Sequence, residues 1–241
     1  MKRLIAILSA LAYLAGSTIA QAGFLLNPYM TAVALPSLSF AACTASTSDL
    51  TTYTFSGHSV GALGTDRATV VTVLTQDALD TYNVSSVTIG GDSATEIADT
   101  AGAQNKSTAL YIMSNAAGTS EDIVVTMSEA VTEAAICVWA AYSLSSLTAV
   151  ASASASITGG AAINLNVNTS ANGLVFAACS GNAGNTTTWT GLTEAQAEAD
   201  NESISYSPAH FTEDSSAATP LGVTCDYTGS GTGAGASASF R

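Results

Sequence analysis

The hydrophobic pattern of the chain is organised around Glu133–Leu144, EAAICVWAAYSL. From Ala134 to Tyr142 there is no charge and no strong polar group, which fits a strand buried on both faces or a short core helix. The strand is favoured. A β-type run, Asp122–Met127, precedes it across the polar link SEAVTE, and Ile136, Cys137, Val138 and Trp139 suit a pleated, packed surface. Alternation puts Ala135, Cys137 and Trp139 on one face and Ile136, Val138 and Ala140 on the other. This segment is predicted to be a centre strand.

From Ser37 onward the same pattern continues. Strands are predicted near Leu38–Ala45, Thr51–Phe55, Arg67–Thr75, Val84–Ile89, Ala94–Ala98, Thr108–Ser114, Leu147–Ser154, Ala162–Asn168, Gly173–Cys179, Ser203–Tyr206, Gly222–Tyr227 and Gly235–Phe240. Gly90-Gly91-Asp92 is a hairpin signal. Many short strands with hardly a helical pattern between them predict an all-β fold, an antiparallel β-sandwich or jelly roll. Thr193–Asp200, TEAQAEAD, reads as a helical turn, and Gly229–Gly235, GSGTGAG, as a turn or flexible loop.

Three regions follow. Residues 1–22 carry Lys2 and Arg3, an apolar run and Ala20-Gln21-Ala22, the pattern of a cleavable secretory signal. If retained, an apolar helix of ~20 residues is long enough to span a bilayer or to join an oligomeric bundle. Residues 23–36, GFLLNPYMTAVALP, are apolar but broken by Pro28 and Pro36, which favours an extended arm that needs a partner. Residues 37–241 form the β body, with a subdivision suggested near Thr158–Gly160.

Composition narrows the function. Charged residues make up 10% of the chain, against a typical ~25%. The net charge of −13 opposes binding to nucleic acid or anionic lipid. Cys43, Cys137, Cys179 and Cys225 show no CxxC spacing. The first reading is buried free thiols; the second is disulfides, with the pairing open.

The candidate chemistry is sparse. Ser56, His58 and Asp66 can be put together as a triad only on paper, because nothing such as G-x-S-x-G marks a nucleophile. His58 and His210 read as exposed loop residues. Glu198, Asp200 and Glu202 alternate, so an extended chain would place them on one face as oxygen ligands for calcium, although a solvated acidic loop is the simpler reading. Trp189 could stack on a sugar ring, with core packing the simpler alternative. No cofactor is required by any motif, and no enzyme activity is expected.

One resemblance adds to this. GFLLNPY, RATVVTVLT, VSSVTIGGDSATEI, AAGTSEDIVVTMS, AAICVWAAYSL, NGLVFAACSG and TTTWTGLTE together resemble a diffuse group of virion structural proteins of tailed bacteriophages and prophages. The resemblance implies a β-sandwich body and a non-enzymatic role as a head decoration, neck or tail appendage. It also implies a homo-oligomer, by analogy a trimer, in contact with other virion proteins. The alternative is a secreted or surface-exposed bacterial adhesin or carbohydrate-binding protein, with a host surface glycan as its partner.

Overall fold

The computed structural model describes residues 34–78, 82–100, 105–114, 117–196, 199–201, 204–212 and 219–241. The apolar segment 1–22 and residues 23–33 of the arm lie outside these. Among the described residues all regular structure is β-strand. The first nine strands are β1 (Ser37–Ser46), β2 (Leu50–Ser59), β3 (Ala68–Gln76), β4 (Val84–Ile89), β5 (Asp92–Ser93), β6 (Thr95–Asp99), β7 (Lys106–Ser114), β8 (Ser120–Val131) and β9 (Glu133–Tyr142). After the link 143–150 come β10 (Ala151–Asn164), β11 (Val167–Asn168), β12 (Leu174–Asn182), β13 (Thr187–Thr190), β14 (Thr193–Glu194), β15 (Ala199–Asn201), β16 (Ile204–Thr212), β17 (Pro220–Leu221) and β18 (Thr224–Phe240).

The strands form antiparallel sheets that stack in layers. An outer sheet has the order β2-β8-β4-β5, and a central sheet the order β1-β9-β3-β7-β6. The third sheet is β10-β18-β12-β16-β14, with β13 on β18 and β15 on β16; β11 and β17 pair separately. Among the described residues, no strand before the link 143–150 shares a sheet with a strand after it. The change of sheet therefore falls in this link, and Thr158–Gly160, where the sequence suggests a division, lies inside β10.

The central sheet is apolar on both sides, and β9 shows why. Ala134, Ile136 and Val138 join Val71, Val73 and Tyr111 against Ile123 and Val125 of the outer sheet. Ala135, Cys137, Trp139 and Ala141 point the other way, onto Leu174, Phe176, Ala178, Ala236, Ala238 and Phe240 of the third sheet. Continuous apolar runs are what a doubly covered strand requires, and the face assignment read from alternation holds here. Trp139 is fully buried, with edge-to-face contacts to Phe40 at 5.5 Å and Phe176 at 5.8 Å. Hydroxyls also cross between the layers: Thr108 Oγ1 donates to Ala234 O at 3.1 Å and Ser154 Oγ to Asp99 O at 2.9 Å.

Three local expectations are corrected. The link SEAVTE is mostly strand, because β8 runs on to Val131, whose side chain is buried against the outer sheet's core. Gly229–Gly235 lies within β18. Its glycines are there for space: a Cβ on Gly233 would lie 2.9 Å from Tyr227 Oη, and one on Gly235 2.9 Å from Leu165 Cδ1. TEAQAEAD holds parts of β14 and β15 and no helix among its described residues. The pairing of β10 with β18 jumps from Gly160↔Gly231 to Ala162↔Asp226, and beyond this jump the ribbon folds back over the third sheet. Leu165, Cys225 and Tyr227 thereby cover Val175 and Cys179 in a separate apolar cluster.

Candidate functional site

Two edge strands frame a concave surface. β1 ends the central sheet and β2 ends the outer sheet on the same side of the molecule. Between them runs a groove of about 500 Å³, lined among others by Ala42, Thr44, Tyr53, Phe55 and His58. An edge strand offers a row of backbone donors and acceptors, so such a margin either is protected or is used for pairing. The β1 edge is interrupted by a bulge between Phe40 and Ala42. His58 is buried in β2, which corrects its reading as an exposed loop residue. Its Nδ1 contacts Ser59 O at 3.0 Å, and Nε2 has no hydrogen-bond partner among the described residues.

The paper triad is not assembled. Asp66 Oδ2 accepts from Ser143 N at 2.9 Å and Ser143 Oγ at 2.8 Å, an exposed turn that holds its carboxyl below the usual range. His210 is likewise not an exposed loop residue: it lies in β16, paired with Phe176 and Thr193, and burial lowers its pKa. Glu198 and Glu202 lie outside the described residues, and Asp200 is placed only as the strand partner of Ser205. Among the described residues no group of three or more His, Cys, Asp or Glu gathers to hold a metal ion.

Trp189 is half-buried against the folded-over cluster. Its indole Nε1–H donates to Ser207 Oγ at 2.9 Å, and Ser207 Oγ donates to Glu194 Oε1 at 2.9 Å. This chain spends the polar edge of the ring internally. The cysteines form two disulfides, not the free thiols of the first reading. Cys43–Cys137 joins directly opposed residues of β1 and β9 with Cα atoms 4.1 Å apart, and Cys179–Cys225 ties β12 to the folded-over part of β18.

Sequence reasoning missed a polar cluster between the layers. Gln76, Lys106 and Glu133 are register partners at the ends of β3, β7 and β9. Alternation along those strands puts all three on the face toward the third sheet. Lys106 and Glu133 are fully buried, and Lys106 Nζ donates to Gln76 Oε1. Burial pushes the lysine down to about 8, an effect that the nearby Glu133 charge partly opposes. The signal was present as one polar residue at the end of each apolar run, but only the register brings the three together.

The class defined by these features is a charge-poor, all-β protein of stacked antiparallel sheets, cross-braced by disulfides and grooved between β1 and β2. No protein-family model matches the chain, and no curated protein matches it. Among solved structures it is similar to a conserved protein of unknown function from Pseudomonas aeruginosa PAO1. That similarity has 9% identity and a TM-score of 0.28, and covers 85% of this chain and 88% of the other.

Proposed function

We propose that the chain is a non-enzymatic structural component of a tailed-phage virion, a head decoration, neck or tail appendage. In this reading residues 1–22 and the arm 23–36 anchor it, and the β body, a jelly-roll or sandwich relative, faces outward. The observation that carries the proposal is the open β1/β2 margin. The arm runs directly into β1, an edge strand, so a sister subunit or a neighbouring particle protein can add a strand where the arm meets the body. A homo-oligomer, by analogy a trimer, and contacts with other virion proteins follow. The test is mass spectrometry of purified particles. The expected result is the chain at fixed copy number with Met1–Ala22 retained; a chain found only in culture medium and starting at Gly23 would sink the proposal.

A second reading, a secreted or surface-exposed adhesin or carbohydrate-binding protein, is favoured by the two disulfides together with the signal-like segment. Disulfides persist in oxidising compartments. In this reading a host glycan stacks on Trp189. A glycan array probed with the intact chain and with Trp189→Ala checks it: binding lost in the variant supports the reading, and binding unchanged or absent removes it.

A further inference from the structure

The Gln76–Lys106–Glu133 cluster has the parts of a self-processing site. We propose that Lys106 and Gln76 join in an intramolecular isopeptide bond between β7 and β3, with Glu133 carrying the proton. The two side chains are already in contact, since Lys106 Nζ donates to Gln76 Oε1, and the amide carbon Cδ is bonded to that oxygen. Productive attack needs reacting atoms held about 3–3.5 Å apart in a fixed orientation, and the antiparallel register brings the two side chains next to each other. Gln76 is opposite Lys106 on one side and opposite Glu133 on the other.

The environment favours the chemistry. A lysine is nucleophilic only as the neutral amine, and the buried, apolar surroundings of Lys106 make that form accessible near neutral pH. Glu133, also fully buried, supplies a carboxyl group on the same face. In the step, Nζ attacks Cδ and the Nζ–Cδ bond forms. Glu133 accepts a proton from Nζ and returns it to Nε2; the Cδ–Nε2 bond breaks and ammonia leaves. No oxidant, reductant or other reactant enters, and Glu133 ends as it began. The product removes a buried ammonium, whose desolvation is costly. It also ties two neighbouring strands of the central sheet at the layer boundary, as Cys43–Cys137 does for β1 and β9.

The sparse basic residues make the test sharp. Lys2, Arg3, Arg67, Lys106 and Arg241 are the chain's five lysines and arginines. An acylated Lys106 is no longer a trypsin site. The full chain is purified, reduced, denatured and digested with trypsin, with its intact mass recorded first. The expected results are a mass lower by one ammonia and a fragment 68–241 uncut at Lys106. Gln76→Leu should restore the full mass and the cut, giving 68–106 and 107–241. Full mass with cutting at Lys106 in the wild-type chain overturns the proposal, as does an ammonia loss that leaves Lys106 cleavable. Formation of the bond at an unchanged rate in Glu133→Gln overturns the proton route. The wild-type arm needs no variant to fold, and its outcome is independent of whether the chain belongs to a particle.

Discussion

The layers on either side of the link 143–150 solve the same packing problem with different side chains. Before the link, the outer and central sheets meet through large aliphatic residues such as Val71, Val73, Ile89, Ile123, Val125 and Ile136. After it, the third sheet presents Ala234, Ala236 and Ala238 on one face, and glycines at 233 and 235 on the other. The first region separates its sheets with branched side chains that fill the gap. The second keeps the backbone bare so that Tyr227 and Leu165 can lie almost on it: Tyr227 Oη donates to Ser180 O at 2.7 Å, and Ser237 Oγ donates to Leu165 O at 2.8 Å. Alternation is a sufficient code for the first arrangement. The second depends on what arrives from elsewhere in the chain.

The largest expected effect is loss of a disulfide, and it tests whether the two regions rely equally on cross-links. Cys43–Cys137 closes a separation of 94 residues and Cys179–Cys225 one of 46. Chain-entropy reasoning gives about 4.7 and about 4.0 kcal/mol for loops of these sizes. Urea unfolding of Cys43→Ser/Cys137→Ser and of Cys179→Ser/Cys225→Ser should therefore show comparable losses, slightly larger for the first. A loss confined to one pair would show that the other region stands on packing alone.

Trp139→Ala comes next, at about 3–5 kcal/mol for a fully buried tryptophan. Trp139 touches Phe40 on its own side and Phe176 across the layer boundary, so both regions should lose stability together in one transition. Two separated transitions in the variant, read by near-UV circular dichroism and calorimetry, would show that the boundary couples them weakly.

These two predictions also mark what could be read from the sequence. The faces of β9 were legible because a doubly buried strand needs nothing but its own alternation, and β4 was legible as Val84–Ile89 because its β-branched residues Val84, Val87 and Ile89 are buried among hydroxyl residues, even though its register shifts between Val84 and Ser86. The cysteine pairing was not, since Cys43 meets Cys137 only once β1 is registered on β9. Gly229–Gly235 was unreadable for a related reason. Glycine lowers strand propensity locally, and only the position of Tyr227 and Leu165 explains why nothing larger is tolerated. The same applies to the polar cluster, whose three members are far apart in sequence and adjacent only through register. Of the candidate sites, Trp189 is half-buried with its indole N–H bonded to Ser207, and the carboxylates Glu198 and Glu202 fall outside the described residues.

A smaller effect contrasts glycines in the two regions. A Cβ at Gly181 would lie 2.6 Å from Tyr227 Cε1, so Gly181→Ala overpacks the folded-over ribbon, at about 1–3 kcal/mol. Gly57 in β2 has nothing within 4 Å of such a Cβ but sits at φ +60°, so Gly57→Ala meets only backbone strain of about 1 kcal/mol. Thermal melts of the two variants should rank in that order. Equal losses would mean that the third sheet has room to relax and is less tightly built than its glycines imply.

The last effect is the pH dependence at the layer boundary, gradual rather than a single loss, and it sharpens the contrast between a cross-linked and an open sheet. In Gln76→Leu the lysine stays free. Below pH about 8 it is protonated in both folded and unfolded chains, and it contributes no slope. Between about 8 and its ordinary value of 10.5, the unfolded chain holds a proton that the folded chain has released. Stability therefore rises with pH across that window, by about 1.4 kcal/mol per pH unit at most. Above pH ~10 the buried tyrosines act in the opposite sense. Burial pushes Tyr53 up to about 12 and raises Tyr111 and Tyr206, so the unfolded tyrosines lose protons first and stability falls. In the cross-linked wild-type chain Lys106 does not titrate, and only the fall should remain. Urea midpoints measured from pH 7 to 11 distinguish the two: a rise above pH 8 in Gln76→Leu and none in the wild type supports the cross-link, whereas a rise in both places a free lysine in the native protein.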